Sequence, residues 1–371
     1  MAAIVVANSS LGDTYHNLLN ETNIFGMSLH TFINDFLMAI FFLVAGCEIK
    51  HEILHGNLSS VKKASFPVIA AFGGVTIPAL IFLLFNKNTQ FSHGIGIPIS
   101  TDIAFAIGIF MLLKNKLNPN LKVFLLSLAV VDDLISMLVI GIAYTSNINI
   151  LGVIGAIAIM CILVYMNKIL KVNKAFYYLL IGLFLWYFIY ISGIHSTISG
   201  VLLSIFIPAK LNNNKLSVME IIQNKLTPIC NYLILPLFAF SNTGINLAVN
   251  IDYSQLSTLI KGIIIGLAVG KPLGIMLFSY IGIKLNLTEK PKGASWASLL
   301  QVSILAGIGF TMSILVSSLA FEYSIELIDV SKISILLASI LSIALIYITI
   351  ILNTILSKIH INKSLSLRKL R

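Results

Sequence analysis

The chain has 371 residues, 58% of them hydrophobic and only 10% charged, with a mean hydropathy of +0.98 and a formal net charge of +10. A soluble chain carries about 25% charged residues, so this one cannot cover a water-facing surface and reads as an integral membrane protein. Soluble catalysis and nucleic-acid binding are excluded with it, because the loops are too short to bury a core of their own and the basic residues arrive in clusters separated by apolar spans.

A helix crossing a bilayer needs roughly 20 apolar residues. Stretches of that kind lie near 32–49, 64–85, 94–113, 121–144, 150–167, 175–191, 193–209, 221–247, 257–283, 294–320 and 329–357, eleven in all. The expectation is an all-α polytopic membrane protein forming a single membrane domain over 1–371. The stub Ala2 to Asn8 is too short to span and reads as the tail of a further helix, which would make twelve; a frayed tail is the plain alternative. It has no basic region of the kind that opens a signal peptide. Cys47, Cys161 and Cys230 are too scattered for a disulfide framework or a metal site and read as small packing residues.

Charge orients these spans. Lys50, Lys62 and Lys63 fall on one side, Lys87 on the other. Lys114, Lys116 and Lys122 return to the first side, and the loop Thr145 to Asn149 has no charge. Lys168, Lys171 and Lys174 precede the uncharged Ser192-Gly193 turn. Lys210, Lys215 and Lys225 then alternate with Asp252 and Lys261, and Lys284, Lys290 and Lys292 with Glu322, Glu326, Asp329 and Lys332. The tail carries Lys358, Lys363, Arg368, Lys369 and Arg371. Twenty of the 24 basic residues share one side, which the positive-inside rule assigns to the cytoplasm together with the C-terminus.

Four ionisable residues lie near the middle of apolar spans: Asp102, the adjacent Asp132 and Asp133, and Lys271. Each costs about 2.5–3.5 kcal/mol at a helix centre when unpaired, a penalty without purpose in a purely structural protein. Lys271, in VGKPLG, is too far from either end of its span to reach water along its own stem. A structural ion pair of Lys271 with one aspartate would still leave two carboxylates unexplained. Consecutive helical residues point about 100° apart, so Asp132 or Asp133 can bind a cation while the other pairs with Lys271. Burial and mutual repulsion disfavour two charged carboxylates side by side, and such a pair can trade protons for a metal cation.

Two spans are interrupted. GIGIPISTDIAFAIG contains Pro98 and the polar run Ser100-Thr101-Asp102; ILAGIGFTMS contains Gly307, Gly309, Thr311 and Ser313. Proline removes a backbone donor and glycine relaxes the helix, so each supports an unwound stretch between half-helices. Irregular backbone at that depth survives only inside protein or along a cavity. The two occupy the middle of three-span groups, 64–144 and 257–357, which enter the membrane from opposite sides and so form inverted repeats, an arrangement that marks a secondary transporter's site. Where broken helices cross, like partial charges meet; Asp102 is the residue to neutralise the positive ends and Lys271 the negative ones. Thr101 offers a hydroxyl or carbonyl to a bound ion.

The runs PISTDIAFAIG, LSLAVVDDLIS, SGIHSTISGV, LILPLFAFSNTG, GKPLGI and GIGFTMSILV resemble, in order from about Asn34 to Ser318, the NhaA-type sodium–proton antiporters of bacteria. The resemblance implies a commonly dimeric inner-membrane exchanger. It moves Na+ or Li+ out against a larger number of protons, under pH regulation, in the service of sodium and pH homeostasis and without a resident cofactor. Position by position, it implies Asp133 as the main cation and proton site with Asp132 beside it. Lys271 would be the partner of Asp132, and Thr101 with Asp102 the broken-helix pair. Glu48, His51 and Glu52, in AGCEIKHEIL, fall in the pH-sensing region, although solvated interface charge is the simpler account of them on sequence alone. His51 stands where arginine is usual, and Thr227 where the best-known form has histidine.

Two other readings fit parts of the pattern. A sodium-coupled symporter or uniporter uses similar aspartates. An intramembrane aspartyl protease also needs two, but on separate helices and with a GxGD element, whereas here they are adjacent and the glycine motif is GIGF. His195, at a short turn among small residues, reads as a packing residue and not as part of a catalytic set with Ser196 and Ser199.

Overall fold

The computed structural model describes residues 2–24, 26–56, 58–143, 148–209, 216–245 and 256–369. Thr145, Lys210, Lys215, Asp252 and Arg371 lie outside them, as do the side chains of Lys62, Lys63, Lys358, Lys363, Arg368 and Lys369. Backbone polar groups find no water in hydrocarbon, which drives so apolar a chain into helices. In order these are α1 (Ala2–Ala7), α2 (Gly12–Glu21), α3 (Leu29–Leu54), α4 (Val61–Asn86), α5 (Ile103–Leu112), α6 (Leu121–Ala143), α7 (Ile150–Lys168) and α8 (Ala175–Ile191). Then follow α9 (Ile198–Phe206), α10 (residues 218–242), α11 (Ser257–Lys284), α12 (Trp296–Ala306), α13 (Phe310–Ala320) and α14 (Ile325–Lys369). Among the described residues the strands are a two-residue ribbon, Asn23–Ile24 against Met27–Ser28.

The protein is an all-α polytopic membrane protein. Among the described residues, α3, α4, α7, α11 and the 325–355 part of α14 are each long and apolar enough to cross a bilayer, and α12 with α13, bent by 46° at a short break, make a sixth span. Two apolar stretches differ from expectation. The one near 193–209 yields only the nine-residue α9, because Gly193 takes a left-handed φ of +80° and the chain turns again before Ile198. In the one near 94–113, the segment upstream of the break is a 3-10 helix, Gln90–Gly96, so the half-helix pair is asymmetric. Ahead of α3, α2 was not foreseen; its polar composition gave no span signal.

Among the described residues three helices contain a π-helical turn: Phe32–Leu37 in α3, Cys230–Ile234 in α10 and Gly266–Gly270 in α11. Such turns are rare and concentrate at functional sites.

The chain forms two compact units. One comprises 1–60, 134–251 and 318–332; the other comprises 61–133, 252–317 and 333–371. In the first, Leu43, Cys47, Leu163, Tyr178, Leu185 and Met219 form an apolar core, and α9 lies so close to α3 that a Cβ on Gly200 would strike the carbonyl of Ala39. In the second, α11 packs along α4 through Gly73 and Gly274, each of which would drive a Cβ into the other's carbonyl. Small residues at a helix contact are the usual means of close approach in membranes.

Candidate cation site

The second unit collects the membrane charges. On α6, Asp132 and Asp133 are each 1% exposed; on α11, Lys271 is also 1% exposed, immediately after the π-helical turn Gly266–Gly270 and before Pro272. The Lys271 ammonium donates to Asp132 Oδ2 at 2.6 Å and also to the carbonyl of Ile99. That carbonyl belongs to the irregular stretch after the 3-10 helix, so one cation serves a carboxylate and an unwound backbone together. The Thr101 hydroxyl donates towards the same Asp132 Oδ2 at 2.6 Å and towards the carbonyl of Ala306, the last residue of α12, at 2.8 Å. Asp132 therefore divides its oxygens: Oδ2 is held by Lys271 and Thr101, and Oδ1 has no hydrogen-bond partner among the described residues.

The two breaks are stitched together at Asp102. Its backbone N–H donates to the Ile308 carbonyl at 2.8 Å, within the second break. Its carboxylate accepts the N–H of Phe105 on Oδ1 at 3.0 Å, capping α5. Oδ2 accepts both the N–H of Thr311, at 3.1 Å, and its hydroxyl, at the start of α13. One carboxylate thus meets the positive ends of two half-helices, where a negative charge is favoured. Ser313 completes the crossing by donating to the Ile97 carbonyl at 2.8 Å.

The structure therefore joins Thr101, Asp132 and Lys271 by direct contact, sets Asp133 beside Asp132 on α6, and places Asp102 next to Thr101 in the first break. Glu48, His51 and Glu52 belong to the other unit, on the last turns of α3. There the His51 and His55 rings lie 5.4 Å apart, and both imidazoles bear electrostatically on Glu220. Glu220 closes a capping box with Ser217, whose backbone N–H holds its carboxyl below the usual range. In the same unit a cavity of about 350 Å³ lined by Phe36, Leu43, Phe176, Leu183 and Trp186 is almost wholly apolar and has no carboxylate in its lining.

A crossing of two interrupted spans around an Asp–Lys pair is a particular arrangement, and the whole sequence bears on it. Residues 1–350 match the family model described as Na+/H+ antiporter 1. The chain belongs to that family. It is 42% identical to the Na(+)/H(+) antiporter NhaA of Helicobacter pylori, over 92% of this chain and 88% of that protein. Identity is likewise 42% with the NhaA of Pelagibacter ubique, over 92% and 89%, and 39% with that of Wolinella succinogenes, over 94% and 87%.

Several polar residues of the antiporter fold received no role from the sequence. Thr311 was visible in the second interrupted span, but nothing in a linear sequence pairs it with a residue 209 positions away. Lys50, counted as a loop charge, donates to the carbonyls of Ser204, Ile205 and Ile207 at 3.1, 2.7 and 2.7 Å, closing the C-terminal end of α9. Asn34 and Asn242 exchange side-chain amide bonds at 2.7 and 3.2 Å. Asp35 lies in the π-helical turn of α3; its signal was an acidic residue within the first apolar stretch.

Proposed function

We propose that the protein exchanges cytoplasmic Na+ or Li+ for external H+ in the bacterial inner membrane, with Asp133 and Asp132 as the cation and proton site. The observation that carries this reading is the buried Asp132–Lys271 contact beside Asp133, held where two interrupted spans are bound to each other by Asp102 and Thr101. A carboxylate shielded from water takes either a proton or a metal cation. The Oδ1 of Asp132 and the adjacent Asp133 supply oxygen ligands, Thr101 contributes its hydroxyl or carbonyl, and Lys271 fixes the far side of Asp132.

The same reading makes exchange a competition: protons leave as the cation binds, and the cation leaves as protons return. Transport follows if the inverted groups 64–144 and 257–357 rock about the site so that it opens to one side at a time. Of the four membrane charges three are acidic and one is basic, a balance suited to electrogenic exchange of more protons than cations. Lys271 is a candidate to carry one of those protons. Glu48, His51 and Glu52 are candidates for pH regulation, and the protein would serve sodium and pH homeostasis as a homodimer in the lipid bilayer, C-terminus cytoplasmic, without a cofactor.

The test uses inside-out vesicles from a host lacking its own sodium exporters. Respiration acidifies the interior and a pH-sensitive dye reports the loss of that gradient when Na+ or Li+ is added. Dequenching that disappears in Asp133→Asn supports both exchange and the site. Full sodium-driven proton flux in Asp133→Asn overturns the site; absence of a response between about pH 6.5 and 9, with the protein in the membrane, points to a symporter or to an inactive protein.

A further inference from the structure

We propose that Ser100 supplies a neutral hydroxyl ligand to the transported cation, completing the site between Asp132 and the first helix break. The inference rests on the cation site proposed above and extends it to Ser100, to which the resemblance gave no role.

Ser100 is fully buried, with 0% of its surface exposed, and its hydroxyl has no hydrogen-bond partner among the described residues. Buried hydroxyls are ordinarily satisfied. Three serines of the same unit show how: Ser303 donates to the Leu299 carbonyl, Ser313 to that of Ile97 and Ser317 to that of Ile314, each at 2.8 Å. Ser342 shares with Ser100 the lack of a partner among the described residues, but it stands on α14 and not in a helix break. A helical serine can turn its proton back to its own helix, but Ser100 lies in the irregular stretch before α5.

Its position singles out the ligand. The residue before it, Ile99, gives its carbonyl to Lys271, and the residue after it, Thr101, gives its hydroxyl to Asp132 Oδ2. Ser100 is thus bracketed by the two residues that grip the Asp132–Lys271 pair. The other oxygen of that aspartate, Oδ1, is likewise without a hydrogen-bond partner among the described residues. A hydroxyl oxygen and a carboxylate oxygen, both buried and both acceptors, are what a small hard cation takes in exchange for its hydration shell. Apolar packing leaves both unexplained.

The experiment measures the Na+ and Li+ concentrations giving half-maximal dequenching in inside-out vesicles at fixed pH, for wild type, Ser100→Ala, Ser100→Cys and Asp133→Asn. It is paired with melting of the purified proteins with and without Na+. Loss of a charge-assisted contact predicts a roughly tenfold rise in the half-maximal concentration for Ser100→Ala and a smaller stabilisation by added Na+. Without Na+ its melting temperature should equal or exceed that of wild type, since an unsatisfied hydroxyl has been removed. Ser100→Cys keeps the volume, replaces hard oxygen by soft sulfur and should move in the same direction; if the alanine variant does not fold, the cysteine variant decides. Wild-type half-maximal concentrations in the folded variants overturn the inference. If Asp133→Asn abolishes the response while the Ser100 variants match wild type, this inference alone fails; if Asp133→Asn responds like wild type, the cation-site reading beneath it fails.

Discussion

Asp102 and Thr311 are joined twice: the backbone N–H and the hydroxyl of Thr311 both donate to one oxygen of the Asp102 carboxylate, while its other oxygen accepts from Phe105. The two residues stand 209 positions apart in the chain. Replacing Asp102 by Asn leaves a single acceptor oxygen and turns an NH2 group towards one of the two helix ends. A buried donor facing a donor costs about 1–3 kcal/mol. Asp102→Asn is expected to melt lower than wild type in detergent and to lose most of its sodium-driven proton flux.

The Asp132–Lys271 pair predicts non-additivity. Removing one partner of a buried pair strands a charge and costs about 3–5 kcal/mol, whereas removing both costs far less. Lys271→Met and Asp132→Asn should each destabilise strongly, and the double variant should melt above the weaker single one. A double variant that loses the sum of the two would show that the pair does not stabilise the fold through its charge.

Lys50 gives a test confined to the other unit. Its ammonium satisfies three carbonyls at the end of α9 that no helical N–H can reach. Lys50→Met keeps the apolar stem and removes every donor, so thermal stability should fall by about 1–3 kcal/mol. Protease cleavage between α9 and α10 should quicken in the same variant.

Gly274→Ala sets two effects against each other. Alanine in a helix is favoured over glycine by about 1 kcal/mol, but here its Cβ meets the Gly73 carbonyl of α4. A backbone atom cannot step aside as a side chain would, and overpacking costs about 1–3 kcal/mol. Net destabilisation is expected, measured by melting, with Gly73→Ala behaving alike.

Glu220 gives a pH signature. Its carboxyl is held below the usual value of 4.5 by the Ser217 backbone N–H. A depressed folded value stabilises above the unfolded value and loses that contribution as pH falls through the folded one. The melting difference between wild type and Glu220→Gln should therefore be constant above about pH 5 and close below pH 4.5. The carboxylate is only partly buried at a helix start, so the gap should be small and should shrink in salt.

The helical, membrane-embedded class was legible because a composition this apolar has so few solutions, and the ionisable residues because each is costly where it stands. The rotation of α6 about its axis was not legible from spacing: Asp132 and Asp133 differ by one position, and only packing turns Asp132 towards Lys271. Nor could spacing tell that the segment Gln90–Gly96 would wind as a 3-10 helix, since Pro98 announces a break without specifying what precedes it. Asp102 was legible as the residue for the positive helix ends, but its pairing with Thr311, like that of Lys50 with Ser204, joins distant segments that spacing does not connect. α9 came out short because its upstream end is spent on a left-handed turn at Gly193, which carries no side chain and so gave no apolarity signal either way.

The shared cap at Asp102 makes the two interrupted helices mechanically one part. With α5 and α13 tied to the same three-atom group, neither can tilt or slide without dragging the other or surrendering its terminal bonds. An opening movement that keeps these bonds has to carry the crossing as a rigid pivot, with its compliance placed elsewhere, in the π-helical turn beside Lys271 and in the unwound residues 97–101.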